Sequence, residues 1–144
     1  MGEIDCRCHI IKHINEKMTY KTIIKIIIDM YIDAIKINVD KSELTFKNIC
    51  IYNVVPLMRK ESCIPPMPVN TEYPILGTDL DRLNFAKYFN KKLKVACEKN
   101  NFIFFDVYDK YSDSEGFLIR ELSDGRIHIK DGKYIKEFIE KNLL

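Results

Sequence analysis

Two short apolar runs constrain this chain more than anything else in it: KNICIYNVV at residues 47–55 and NFIFFDVY at residues 101–108. Both are rich in β-branched and aromatic side chains and neither alternates with polar residues, the pattern of strands buried on both faces. Between them, TDLD places Thr78 as an N-cap with Asp81 three residues on, close to a capping box. The helix it opens carries Leu83, Ala86, Phe89 or Asn90, Leu93 and Ala96 on one side and ends near Asn100 and Asn101. An earlier helix is predicted over residues 19–38, where Lys21, Lys25, Asp29, Asp33 and Lys36 follow one narrow polar stripe, so that most of its surface should be covered. A small amphipathic helix over residues 132–144 closes the chain, with Tyr134, Ile135, Phe138 and Ile139 on its apolar side.

The order is loop, helix, strand, loop, helix, strand, loop, helix. Strands alternating with helices imply an α/β fold with a parallel sheet, whose ligands bind at the carboxyl ends of the strands. Two strands are too few for such a sheet and would leave a long apolar edge open. Part of the sheet is therefore expected from outside these residues, or replaced by self-association through the open edge.

A chain of 144 residues suits a single domain, residues 1–144, and is long enough to bury a core without disulfide or metal staples. The net charge is +2 with both signs interspersed, so no basic stripe points to nucleic acid. The most apolar stretch, residues 22–37, is interrupted every three or four residues by Lys25, Asp29, Asp33 and Lys36, which excludes a membrane-spanning helix there. Five cysteines, an odd number without framework spacing, and the absence of a leader before GEIDCRC point to reduced thiols and a cytoplasmic protein. All five prolines fall between Pro56 and Pro74, in a loop ending at Gly77 that is long enough to be functional.

SDGRIHIKD, residues 123–131, holds the motif with the most chemical content. Imidazole is the side chain suited to accept a proton near neutral pH, and a carboxylate nearby fixes its tautomer and stabilises the imidazolium. Asp124 and His128, four apart on a turn before a helix, can reach one point. The same spacing suits an ordinary Asp-Gly turn with His128 a loop histidine. Cys6, Cys8, His9 and His13 offer metal-ligand atoms but lack a second ligand pair far along the chain. Cys6, Cys8 or Cys63 as a nucleophile served by His128 is a further arrangement, against which stands the commoner buried, inert cysteine. Asp113, Glu115 and Glu121 with Asp124 form an acidic patch that reads as a solvated loop rather than a glycosidase pair.

Gly2-Glu3-Ile4-Asp5 at the start and Asp124 with His128 near the end resemble two sequence blocks, G-x-N-D and D-x-x-H, of the SGNH hydrolases, also called GDSL esterases and lipases. The resemblance implies a three-layer α/β/α sandwich of flavodoxin-like kind with a parallel sheet, N-terminally truncated and seen from its third strand onward. It implies a serine esterase acting on small acyl or acetyl esters, with His128 as base, Asp124 as its orienter and the Gly2 N–H as an oxyanion donor. It implies no metal and no organic cofactor. The chain departs from the family in three ways. The glycine–aspartate–serine block is missing, and none of Ser42, Ser62, Ser112, Ser114 and Ser123 follows a glycine. Ile4 stands where the family has an oxyanion-hole asparagine, a donor worth about 2.7–4 kcal/mol in the transition state. The Asp–His spacing is one residue longer. The chain is thus expected to hold base and orienter without the nucleophile, as an esterase part, as a half-domain complemented by another chain, or as an inactive interaction module. Asp5 and Arg7 are expected to pair and brace the loop beneath the site.

Overall fold

A computed structural model describes residues 2–63 and 72–143. The chain is a mixed α/β protein. Its elements are a π-helical turn at Asp5–His9 running into α1 (Ile10–His13), α2 (Tyr20–Asp40), β1 (Cys50–Tyr52), α3 (Asp79–Lys99), β2 (Ile103–Phe105), the short α4 (Tyr108–Tyr111) and α5 (Lys133–Asn142). β1 and β2 pair in parallel, with Ile51 opposite Phe104.

The long helices start where the sequence says they should. Thr19 caps α2 by accepting the Thr22 N–H, and Thr78 and Asp81 form a reciprocal capping box at the start of α3. The first segment differs from expectation, because residues 3–13 are helical rather than loop. Two side-chain pairs at i,i+4 spacing, the ion pair Glu3–Arg7 and the Asp5–His9 contact, run along that turn, and Cys6, Cys8 and Ile10 are buried beneath it.

Both strands are shorter than their apolar runs. Asn53 still donates its N–H to the Phe105 carbonyl, but at Val54 the ladder gives way to side chains. Asn90 of α3 accepts the Val54 N–H at 2.7 Å and donates to the Val54 carbonyl at 2.8 Å. The Asn53 carboxamide accepts the Val107 N–H at 3.0 Å. Two buried amides thus satisfy backbone groups that a longer strand would have paired.

The two sheet faces bury different helices. Ile51 packs with Ile24, Ile28 and Ile32 of α2 and with Phe85, Phe89 and Leu93 of α3. On the other face Phe105 stacks on Phe138 of α5, with ring centroids 4.2 Å apart, while Tyr134 meets Tyr111 edge-on. Among the described residues the sheet has two strands. Ile49 accepts from Ile103, and Asn53 donates to Phe105; alternation along the strand therefore turns the N–H and C=O of Cys50 and Tyr52 toward the opposite edge. Helix α2 is also less covered than its stripe implied: Ile26, Met30 and Ile37 are 42%, 67% and 52% exposed.

The proline loop is described over residues 56–63 and 72–77 only; Pro65, Pro66 and Pro68 lie outside the described residues. Its first part is tied down by Arg59, whose guanidinium lies 4.2 Å over the Phe117 ring and bonds to Asp113 and Glu115. No helix among the described residues is long and apolar enough to cross a membrane.

Candidate functional site

Asp124 and His128 meet on a tight turn. Ser123 and Ile129 form an isolated antiparallel bridge, the Asp124 N–H donates to the His128 carbonyl at 2.9 Å, and Gly125 takes φ +86°. A left-handed backbone at that position suits glycine. One Asp124 oxygen accepts the N–H groups of Arg126 and His128, and the other lies 3.2 Å from His128 Nδ1. A carboxylate can only accept, so Nδ1 carries the proton and Nε2 is left as the free nitrogen. Burial pushes the Asp124 carboxyl up, but the two N–H groups and the imidazole outweigh it and hold it below its ordinary range. The pair is open to water, with side chains 67% and 37% exposed for His128 and Asp124.

No serine hydroxyl among the described residues hydrogen-bonds to His128. Ser123, the serine nearest in sequence, donates its hydroxyl to the Arg120 carbonyl at 2.8 Å and accepts the Gly125 N–H at 3.1 Å, so it serves the turn.

The N-terminal residues gather into a second cluster. Gly2 has φ +97°, and a Cβ there would meet Val54 Cγ2 at 2.2 Å. Its N–H, expected as an oxyanion donor, is taken by Asp5 Oδ2 at 3.0 Å in this conformation. The other Asp5 oxygen lies 3.0 Å from His9 Nδ1. Arg7, 5% exposed, bonds to Glu3 Oε1 at 2.8 Å and to the Tyr73 carbonyl. Asp5 and Arg7 do not pair with one another, because residues two apart on a helix point different ways while those four apart face each other. Ile4, in the place of the asparagine, is 38% exposed and offers no donor.

A second Asp–His pair was thus missed from the sequence. Asp5–His9 is shorter than Asp124–His128 and more sheltered, with side chains 17% and 39% exposed and the imidazole edge-on to Tyr73 at 5.7 Å. The signal was available in the i,i+4 spacing, once the segment is recognised as helical.

Cys63 lies beside the turn that carries Asp124 and His128. Its thiol is 3.6 Å from the Arg126 carbonyl, and it feels the charges of Arg7 and Asp124 together with those of Arg82 and Asp79. Burial pushes the thiol up, so it is not poised as a thiolate. Cys6 is likewise pushed well up, by burial first and then by Asp5 and Glu3. Among the described residues no three His, Cys, Asp or Glu side chains are grouped to hold a metal ion. The acidic patch is partly neutralised: Arg59 binds Asp113 at 2.7 Å, and Asp113 also accepts the N–H groups of Glu115, Gly116 and Phe117. These bonds outweigh burial and keep its carboxyl low, which suits a structural anchor rather than a proton donor.

No family model, curated protein or solved structure matches this chain.

Proposed function

We propose that this chain contributes the base and its orienting carboxylate to the hydrolysis of small acyl esters, with the serine nucleophile supplied by residues other than these 144. His128 takes the serine proton through Nε2, and Asp124 holds Nδ1–H and stabilises the imidazolium that forms. The observation that carries the reading is the 3.2 Å contact between Asp124 and His128 Nδ1, with no serine bonded to the imidazole among the described residues. The open β1 edge supports a complementing segment, because Cys50 and Tyr52 turn their backbone groups away from β2, where a further strand can pair. The sheet so completed would be the three-layer sandwich of the SGNH fold. Small esters, bound without metal or organic cofactor, are the substrates of this reading.

A fluorophosphonate probe, which labels an activated serine, tests it. The isolated 144-residue chain should not be labelled. The native assembly captured through this chain should contain one labelled serine, and His128→Ala should slow that labelling about 10²–10⁴-fold. Labelling of the isolated chain overturns the missing nucleophile. A captured assembly without any labelled serine overturns the hydrolase and leaves an interaction module.

A further inference from the structure

A groove of about 680 Å³ runs between α2 and α3. Its lining on α2 recurs every three or four residues from Lys21 to Lys36, a length of about 22 Å of helix. The lining holds five lysines and two aspartates, Asp29 and Asp33, a surplus of +3. The whole chain carries +2, so the remaining residues sum to −1 and the groove concentrates the positive charge.

The cations are placed in two rows. Lys21, Lys25 and Lys36 stand on α2, and Lys92 and Lys99 on α3. Asp29 is engaged by Lys25 at 2.5 Å, and Asp33 has no ion-pair partner among the described residues. Lys21 and Lys92 approach the same Tyr88 ring, at 5.8 and 5.5 Å from its centroid. The ring attracts each ammonium group, and an anion bound beside it would meet ammonium groups from both helices. Under the rows is an apolar floor of Ile28, Ile32, Val95 and Ala96, of which Val95 is 40% exposed.

We propose that this groove docks an acidic amphipathic helix of another protein. A third helix can lie as a ridge in the groove between two others. Its narrow apolar stripe would meet Val95 and Ala96, and carboxylates on both flanks would meet the two lysine rows, as flanking charges do in coiled coils. Nucleic acid fits less well, because Asp29 and Asp33 interrupt the lysine row that a run of phosphates would need. A membrane surface fits less well, because the site is concave. The inference is independent of the hydrolase reading.

The test is fluorescence anisotropy with a labelled amphipathic helical peptide that carries Leu at every third or fourth position and Glu on both flanks. A scrambled peptide of the same composition, a single-stranded oligonucleotide and phosphatidylserine vesicles are the other arms. The ordered peptide should bind saturably, more weakly as salt rises. Lys21→Glu and Lys92→Glu, both at exposed positions, should each weaken it about tenfold or more, while Lys133→Glu outside the groove should not. Equal binding of the scrambled peptide overturns the proposal, as does preference for the oligonucleotide or the vesicles. So does an absence of peptide binding up to about 1 mM, the weakest affinity a specific contact of this kind should show.

Discussion

Asn90→Ala should be among the most destabilising single changes in this protein, although it removes no large apolar side chain. Asn90 is 8% exposed and fastens α3 to the chain just beyond β1. Its carboxamide accepts the Val54 N–H at 2.7 Å and donates to the Val54 carbonyl at 2.8 Å. The two losses are unequal. The Val54 carbonyl keeps a partner in the Asn53 carboxamide at 2.8 Å, so there the variant loses one ordinary bond, about 0.5–1.5 kcal/mol. The Val54 N–H is left buried without an acceptor, which costs about 1–3 kcal/mol. Together the change should cost about 1.5–4.5 kcal/mol, out of a total of about 5–15 for a domain.

For a chain of this length that corresponds to a fall in Tm of about 5–15 °C. Urea denaturation followed by far-UV circular dichroism should show a lower midpoint with an unchanged slope, because the surface exposed on unfolding hardly changes. Amide exchange gives a local readout: the Val54 N–H should lose protection while Phe105, in the ladder, keeps it. A loss below about 0.5 kcal/mol, the range of an ordinary surface substitution, would refute the reasoning. So would unaltered exchange at Val54. The variant also bears on the site, since Gly2 packs against Val54 and donates to the carboxylate that holds His9.

Two further outcomes follow from the same geometry. Gly2→Ala must place a Cβ at 2.2 Å from Val54 Cγ2 at φ +97°. Val54 is stiff about its branched Cβ, so the chain should lose about 2–4 kcal/mol of stability from backbone strain and overpacking, read by thermal melting; a change below about 0.5 kcal/mol would mean that the turn simply swings aside. The pH dependence is set on the acid side by Asp81, Asp113 and Asp124, all held below the ordinary carboxyl range. Thr78, by its hydroxyl and then its N–H, lowers Asp81; at Asp113 and Asp124, burial works against bonds that outweigh it. Because the folded state binds protons less readily, the stabilisation is present above the unfolded carboxyl value of about 3.9 and is lost as pH falls through the lower folded values. The urea midpoint should therefore decline below about pH 4, and Asp81→Asn should flatten part of that decline; an unchanged profile in the variant would remove Asp81 from the account.

The legible parts of this fold are those decided within a few residues. Thr78 with Asp81 is a local signal, and the capping box follows from it. The Asp124–His128 contact is equally local, since one turn closed at Gly125 brings the two together. The strand ends were not legible because they are set across the chain: Asn90 is 36 residues from Val54, and Val107 is 54 from Asn53. Nothing in KNICIYNVV says that its last residues will be satisfied by side-chain amides. The opening segment departs from expectation for a related reason. GEIDCRCHI carries few strong helix formers, and its helix is held by burial of Cys6, Cys8 and Ile10 and by two i,i+4 pairs, which outweigh weak propensity.

The helical opening bears directly on function. A loop gives Asp5 no reason to face His9, whereas the helical opening sets a second Asp–His pair beside Asp124–His128 among the described residues. Sequence spacing cannot rank them, because both are four apart. Exposure can. A carboxylate orients an imidazole more firmly as water is excluded, since the same charge acts through a lower effective dielectric. Asp5 is 17% exposed against 37% for Asp124, and its second oxygen is fixed by the Gly2 N–H, so its geometry is the more constrained. Asp124 also has its first oxygen occupied by two backbone N–H groups, but it sits on a turn open to water. An imidazole that serves a nucleophile from another segment has to be reachable, and His128 at 67% is the more accessible of the two. His128 is therefore the imidazole that another segment can reach, while Asp5 holds the His9 ring in the more sheltered and more constrained geometry.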